Sequence, residues 1–286
     1  MIFQEPRAYL NPVYSVKNQI GEVLMLHRKQ EIVQIALEEV EAIIEKKAKP
    51  GFFLNYDRKM LQKMLKNPNS FSLKIISKIP FINRYKRRIN TAVRKEVVRI
   101  LREMELPDPD RIADMYPHEL SGGMAQRVII AMALACNPTL LIADEPTTNL
   151  DVTVQFQILN LIRKLKQKFG SSILYITHDM GVVAELCSRV AVMYAGVVCE
   201  SADVVEIFKN PLHPYTKALL ESIPRPGSEF KTIEGTVPSL INPPSGCRFH
   251  DRCPYSMEIC IKEKPNFIEV KKEHFVSCHL HNGGSK

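Results

Sequence analysis

The 286 residues contain no tryptophan, which by itself decides nothing. The longest unbroken apolar run in the motif-bearing part, residues 128–136, falls well short of the ~20 residues a membrane helix needs. Residues 1–6, MIFQEP, lack a basic start followed by an apolar stretch, so no signal peptide is expected and the chain reads as cytoplasmic. None of the twelve glycines is followed by lysine, so the phosphate-cradling pattern G-x-x-x-x-G-K-[ST] occurs nowhere. Acid is scarce in one place: residues 46–95 carry fifteen Lys or Arg against a single carboxylate, Asp57. The formal charge of +8 is therefore a property of one segment, and the remainder is net negative. That segment reads as a solvated basic face, with anionic lipid headgroups or nucleic acid as sharper alternatives. It has no aromatic-rich strand of the kind that stacks single-stranded bases, and no nucleic-acid partner is expected.

What is present is an ordinary globular composition, 45% apolar and 24% charged, long enough to bury a real core. Residues 1–3 read as the end of a strand, and residues 5–18, with Pro6 and Pro12, as a loop. Apolar spacing over 23–47 (Val23, Leu26, Ile32, Ile35, Ala36, Val40, Ile43) suits one or two amphipathic helices, and 91–104 suits another. Pro107 and Pro109 end the latter. From Ser121 the pattern alternates: helix over 124–136, buried strand over 140–143, helix over 152–169 stopped by Gly170, and strands over 173–176 and 190–194. The run 140–143 is continuous, as in a parallel strand covered on both faces. From Asn210 the chain turns rich in proline and turn residues, and four of its seven cysteines follow Ser245. Four segments are expected: 1–23; 24–120, with a basic insertion at about 48–90; 121–209; and 210–286.

Three clusters carry chemistry. Asp144 and Glu145 stand where a buried strand ends, the edge at which open parallel sheets bind ligands. A carboxylate there is costly without a partner, and a magnesium ion with phosphates supplies one. Ser121-Gly122-Gly123 opens a helix that Ser121 can cap, and its free N–H groups and dipole favour an anion. His178 follows the strand 173–176. Taken alone, each has a bland reading: a structural acid capping a turn, a simple turn, a hydrogen-bonded structural histidine.

Together and in order they are specific. Residues 120–127 read LSGGMAQR, 140–146 LLIADEP, 149–151 NLD and 176–179 ITHD; this set resembles the nucleotide-binding subunit of an ATP-binding-cassette (ABC) transporter. The resemblance implies an α/β nucleotide-binding fold, with a parallel-sheet RecA-like core plus a helical subdomain. It implies that Asp144 is the magnesium carboxylate, that Glu145 orients the attacking water, and that His178 contacts the γ-phosphate. Ser121, Gly122, Gly123 and Gln126 would form the signature that reaches ATP held by the opposite subunit. Gln4, in Phe-Gln-Glu-Pro, matches the glutamine that touches Mg²⁺ and water, and Asp151 belongs to the D-loop. Two departures stand out: Met124 where Gln is commoner, and Asn149 where Ala is usual.

The tail narrows the branch. Residues 210–220 (NPLHPYTKALL), 224–227 (PRPG), 233–238 (IEGTVP) and 243–247 (PPSGC) resemble the ATPase subunits of oligopeptide, dipeptide and nickel importers. The expected partners are a second ABC ATPase subunit, in a homo- or heterodimer, two transmembrane permease subunits and, indirectly, an extracytoplasmic binding protein. The expected place is the cytoplasmic face of the membrane, and the expected cofactors are ATP and Mg²⁺. Cys247, Cys253, Cys260 and Cys278 are spaced C-x5-C-x6-C-x17-C, which is not a paired zinc signal. The family resemblance implies a [4Fe–4S] cluster on them, with zinc as the lesser option and reduced packing cysteines as the plain reading. Cys136, Cys187 and Cys199 fall in helix or strand patterns and are expected in the core. The missing phosphate loop leaves three expectations open: a fragment, a split subunit, or a silent half that completes a partner's site.

Overall fold

A computed structural model describes residues 1–46, 51–68, 83–224 and 232–281. The chain divides into two compact units, Met1–Ile176 and Thr177–Lys286. The division falls between Ile176 and Thr177.

The first unit is mostly helical. After a short helix, α1 (Pro6–Tyr9), come α2 (Val16–His27), α3 (Lys29–Glu45), α4 (Phe52–Lys66), α5 (Tyr85–Glu103) and α6 (Pro109–Asp114). Residues 5–18 are thus not a plain loop. Pro6 sits in the first turn of α1, where its missing N–H costs nothing, and α2 begins at Val16. Pro109 likewise opens α6 instead of merely ending α5, and Asp108 caps it by accepting from the Arg111 amide. Of the apolar positions read from the sequence, Ile32, Ala36 and Val40 of α3 and Val97 and Leu101 of α5 are fully buried in one core together with Ile20 and Leu24 of α2, whereas Leu26 is 75% exposed.

Two polar clusters fix these helices. Arg28, between α2 and α3, ion-pairs with Glu96 of α5 at 3.1 Å and donates to the Ala135 carbonyl at 2.7 Å. Hydrogen bonds from Arg99, opposed by burial and aided by Arg28, hold the Glu96 carboxyl below the usual carboxylate range. The lone acid of the basic segment, Asp57 of α4, is fully buried. It lies 3.3 Å from Arg88 and 3.6 Å from Arg84, which binds α4 to α5. The expected basic insertion is therefore helical and packed over Phe52–Lys66; residues 69–82 lie outside the described residues, as do 47–50.

The α/β part of this unit is a βαβ arrangement. Helix α7 (Gly122–Leu134) precedes β1 (Leu140–Asp144), and α8 (Val152–Phe169) connects β1 to the parallel β2 (Ser172–Ile176). Gly170, with φ of 62°, ends α8 in the left-handed conformation that glycine allows. On the other side of β1, Ile2 forms a parallel bridge to Ala143. The two faces of the sheet are unequally buried. Leu141 and Ala143 are buried, while Leu140 and, on β2, Leu174 and Ile176 are 45–52% exposed. The expectation of a strand covered on both faces is corrected: Leu140, on the other face from Leu141 and Ala143, is half exposed and Ile142 beside it only partly buried.

The second unit holds α9 (Met180–Leu186), β3 (Arg189–Tyr194), β4 (Val197–Asp203), α10 (Val204–Lys209), α11 (Pro214–Glu221), α12 (Glu258–Lys262), β5 (Phe267–Lys271) and β6 (His274–Ser277). The strand order is β3-β4-β6-β5, all antiparallel. The tail beyond residue 210 thus adds two strands to the sheet of residues 189–203. Its anchor is Glu200 of β4, fully buried, which accepts from the Leu212 amide at 2.7 Å and the His213 amide at 2.9 Å. The His274 ring lies 2.7 Å from the same carboxylate. Such a buried acid is stable only with partners of this kind. Part of the tail motif, residues 225–227, lies outside the described residues.

His213 caps α11, its Nδ1 accepting from the Tyr215 amide at 3.0 Å. Burial pushes its pKa down to about 4, against an opposing pull from Glu200. The unfolded chain takes up a proton near pH 6.5 and the folded chain near 4, so stability is present above 6.5 and lost as pH falls through this window. Between pH 6.5 and 4.5 the loss from this residue is about 2 kcal/mol. His213→Asn keeps an acceptor for the cap and removes the titration. Urea unfolding of the second unit should show a smaller acid loss in H213N than in wild type; equal losses contradict this origin.

Candidate functional site

At the C-terminal end of β1 the backbone places three side chains together. The Ile2 amide donates to the Ile142 carbonyl at 2.7 Å, and the Asp144 amide donates to the Ile2 carbonyl at 3.0 Å. This parallel bridge brings Gln4, two residues on, to the end of the strand. There its Nε2 donates to Glu145 Oε2 at 2.9 Å. Thr148 Oγ1 donates to the same oxygen at 2.8 Å. Glu145 leaves the strand in a left-handed conformation, φ of 43°, while its amide still donates to the Ile176 carbonyl at 2.9 Å. Asp144 and Glu145 are half-buried and Gln4 is exposed. Two carboxylates and an amide oxygen are hard oxygen donors, the chemistry that Mg²⁺ takes.

The Ser121 segment lies in the same unit. Ser121 Oγ accepts from the Met124 amide at 3.3 Å, capping α7 as its sequence predicts. Gly123 has a packing reason as well as a chemical one: a Cβ there would stand 2.7 Å from Val154 Cγ1 of α8. Gln126 is 1% exposed and points inward, donating to the Pro146 carbonyl at 2.6 Å. It thus ties α7 to the turn after Glu145; its Oε1 is buried without a hydrogen-bond partner. Asp151 caps α8, accepting from the Val154 amide at 3.0 Å. Between them opens a cleft of about 460 Å³ whose walls include Ser121, Gly122, Gly123, Asn149 and Asp151. Asn149 adopts a left-handed φ of 64°, a conformation asparagine tolerates better than most residues. His178 opens the second unit and is exposed. Its neighbour Asp179 caps α9, accepting from the Gly181 and Val182 amides.

Three participants escape a reading of the sequence. Thr148 is one. Arg7 is another: its Nη2 donates to the Leu120 carbonyl at 2.7 Å and joins the segment after Gln4 to the residue before Ser121. Arg127 is the third, donating to the Met104 carbonyl at 2.6 Å. For the two arginines the acceptor is a backbone carbonyl, which every residue has, so the sequence gives no signal for these contacts, although Arg127 itself closes the motif of residues 120–127.

The tail cysteines all lie in the second unit. The Cys247 amide donates to the Cys260 carbonyl at 2.8 Å, and a Cβ at Gly246 would stand 2.3 Å from that same carbonyl. Burial pushes the Cys247 and Cys253 thiols up, Cys278 to about 11, and Cys199 to about 12. Among the described residues no three His, Cys, Asp or Glu side chains are grouped to hold a metal ion. The expected [4Fe–4S] or zinc site on Cys247, Cys253, Cys260 and Cys278 therefore has no support. Buried thiols that stay protonated act as small packing groups. Cys199 is buried as expected, whereas Cys136 and Cys187 are only partly so.

Comparisons with known proteins match both ends of the chain. A model described as ABC transporter matches residues 1–148, and one described as oligopeptide/dipeptide transporter, C-terminal region, matches residues 199–260. A putative peptide import ATP-binding protein of Brucella ovis is 42% identical, over 97% of this chain and 68% of its own length. The dipeptide transport ATP-binding protein DppD of Bacillus subtilis is 40% identical, over 98% of this chain and 67% of its own. A solved dimeric bacterial ABC transporter cassette aligns at 26% identity, over 71% of this chain and 61% of that one, with a TM-score of 0.39. With the ordered motifs, the strand-end carboxylates and these relatives agreeing, the chain belongs to the ABC transporter family.

Proposed function

We propose that the chain is an ATP-binding subunit that energises a peptide importer. The observation that carries this reading is the Gln4–Glu145 contact of 2.9 Å at the end of β1, one residue past Asp144. MgATP, when bound, supplies the phosphoryl group that passes to water. Asp144 is the residue that would hold the magnesium ion. Glu145 orients the attacking water, and in phosphoryl transfer such a group needs placement more than an extreme pKa. Gln4 and Thr148 provide that placement, since both donate to Oε2 and so restrict rotation of the carboxylate. Ser121, Gly122 and Gly123 present the N-terminal amides of α7, which lack intrahelical acceptors, to a phosphate. His178 is the proposed contact to the γ-phosphate, and Asp151 the link to a partner subunit.

The same reading supplies partners. Relatives named for peptide and dipeptide import support a dimer of ATPase subunits acting on two permease subunits at the inner face of the membrane. No helix among the described residues is long and apolar enough to cross a membrane, consistent with a peripheral subunit. Residues 1–286 hold no G-x-x-x-x-G-K-[ST], and we propose that the phosphate loop is contributed by polypeptide other than these residues. Loop amides and lysine provide most of the cradle for the β- and γ-phosphates.

Two measurements test this. Isothermal titration of the 286-residue chain should show MgATP binding no tighter than about 1 mM, some −4 kcal/mol; micromolar binding overturns the absent loop's role. In the importer reconstituted with its permease subunits, Glu145→Gln should lower ATP-driven peptide uptake by about 100-fold or more. Undiminished uptake by E145Q removes the catalytic assignment.

A further inference from the structure

We infer that the outward face of α4 is a docking site for an anionic phospholipid surface. The inward face of this helix, Leu54, Asp57, Met60 and Leu61, is buried in the first unit. Its outward face is built differently. Phe52, Lys59, Lys63 and Lys66 are spaced by seven, four and three residues, which sets them on one stripe of an α-helix. All four are exposed, Phe52 at 80%. Phe53 beside it is 58% exposed, with its ring edge-on to Phe52 at 5.9 Å between centroids. Two adjacent aromatic rings left in water are not explained by packing in this unit.

The charge of the face is of one sign. Asp57, the only acid in α4, is turned inward and occupied by Arg84 and Arg88. Lys59, Lys63 and Lys66 make no ion pair with any described residue. The Arg84 guanidinium lies over the Phe53 ring at 4.5 Å, which adds a cation at the aromatic end. Lys86 and Arg87, in the first turn of α5, are also exposed. A phenylalanine pair at one end of a lysine stripe fits a lipid interface. The rings enter the headgroup boundary, and the lysine stems lie along it with their ammonium groups among the phosphates. Nucleic acid offers the same phosphate charge but no apolar layer for two side-by-side rings. The inference does not rest on the ATP chemistry, and its test does not use it.

The experiment is co-sedimentation of the full 286-residue chain with vesicles. With 30% phosphatidylglycerol in phosphatidylcholine the chain should bind, with pure phosphatidylcholine it should not, and 0.5 M salt should release it. Each lysine near an anionic surface is worth roughly fivefold in binding, so K59Q/K63Q/K66Q together should weaken it about 100-fold, while the triple arginine variant keeps it. F52A/F53A should weaken binding and leave the salt dependence unchanged. Equal binding to both vesicle types, no binding to either, or undiminished binding by the triple glutamine variant overturns the inference. So does a short duplex DNA that displaces the chain from vesicles, which would assign the face to nucleic acid.

Discussion

Two backbone hydrogen bonds, from Ile2 to Ile142 and from Asp144 to Ile2, set the geometry on which the candidate site depends. Side chains alternate along a strand, and a slip of one residue sends each to the opposite face. With Ile2 opposite Ala143, Gln4 reaches Glu145 beyond the strand end. The left-handed backbone at Glu145 then turns its carboxylate toward Gln4 and Thr148 while keeping its amide in the ladder to β2. A conformation of this kind costs free energy in a residue with a Cβ, and it is retained here because the flanking hydrogen bonds over-determine it. The position of the signature helix α7 follows from the same centre, since Gln126 reaches the Pro146 carbonyl and Arg7 reaches the Leu120 carbonyl.

The second unit obeys a different constraint. Its sheet brings together residues 189–203 and 267–277, far apart in the chain, and the join is made around the buried carboxylate of Glu200. Amides from 212 and 213 and the ring of His274 satisfy it. An acid so enclosed is stable only while all three remain. This explains why the tail is part of one folded unit with β3 and β4, although its composition changes abruptly at Asn210.

Much of this was legible in the sequence. The helices α3, α5, α7 and α8 show as apolar residues three and four apart, and β1 and β2 as short apolar runs bounded by turns, whereas the start of α2 at Val16 lies in a stretch that reads as a loop. Asp144, Glu145 and Ser121 were recognisable because a buried strand ending in acids, and a serine before two glycines and a helix, are local patterns. Gln4 was visible only through resemblance, since its meaning comes from a partner 141 residues away. The helix α1 was hidden by Pro6, which marks a loop and a helix start equally well. Strands β5 and β6 were hidden because turn-rich sequence gives no hint of the distant edge that pairs with it. The unequal burial of the two faces of β1 is not legible, because a continuous apolar run does not say which face is covered. The cluster on the tail cysteines was implied by resemblance and not by their spacing, and no metal-holding group among the described residues supports it.

The central claim is that Ile2 is locked to β1 and thereby places Gln4 on Glu145. Residue-resolved hydrogen exchange of the chain tests it directly. The account predicts that the Ile2 and Asp144 amides are protected to a degree comparable with the amides of β1 that face β2. Exchange of these two amides at the rate of an unstructured terminus, with β1 and β2 still protected, would contradict it.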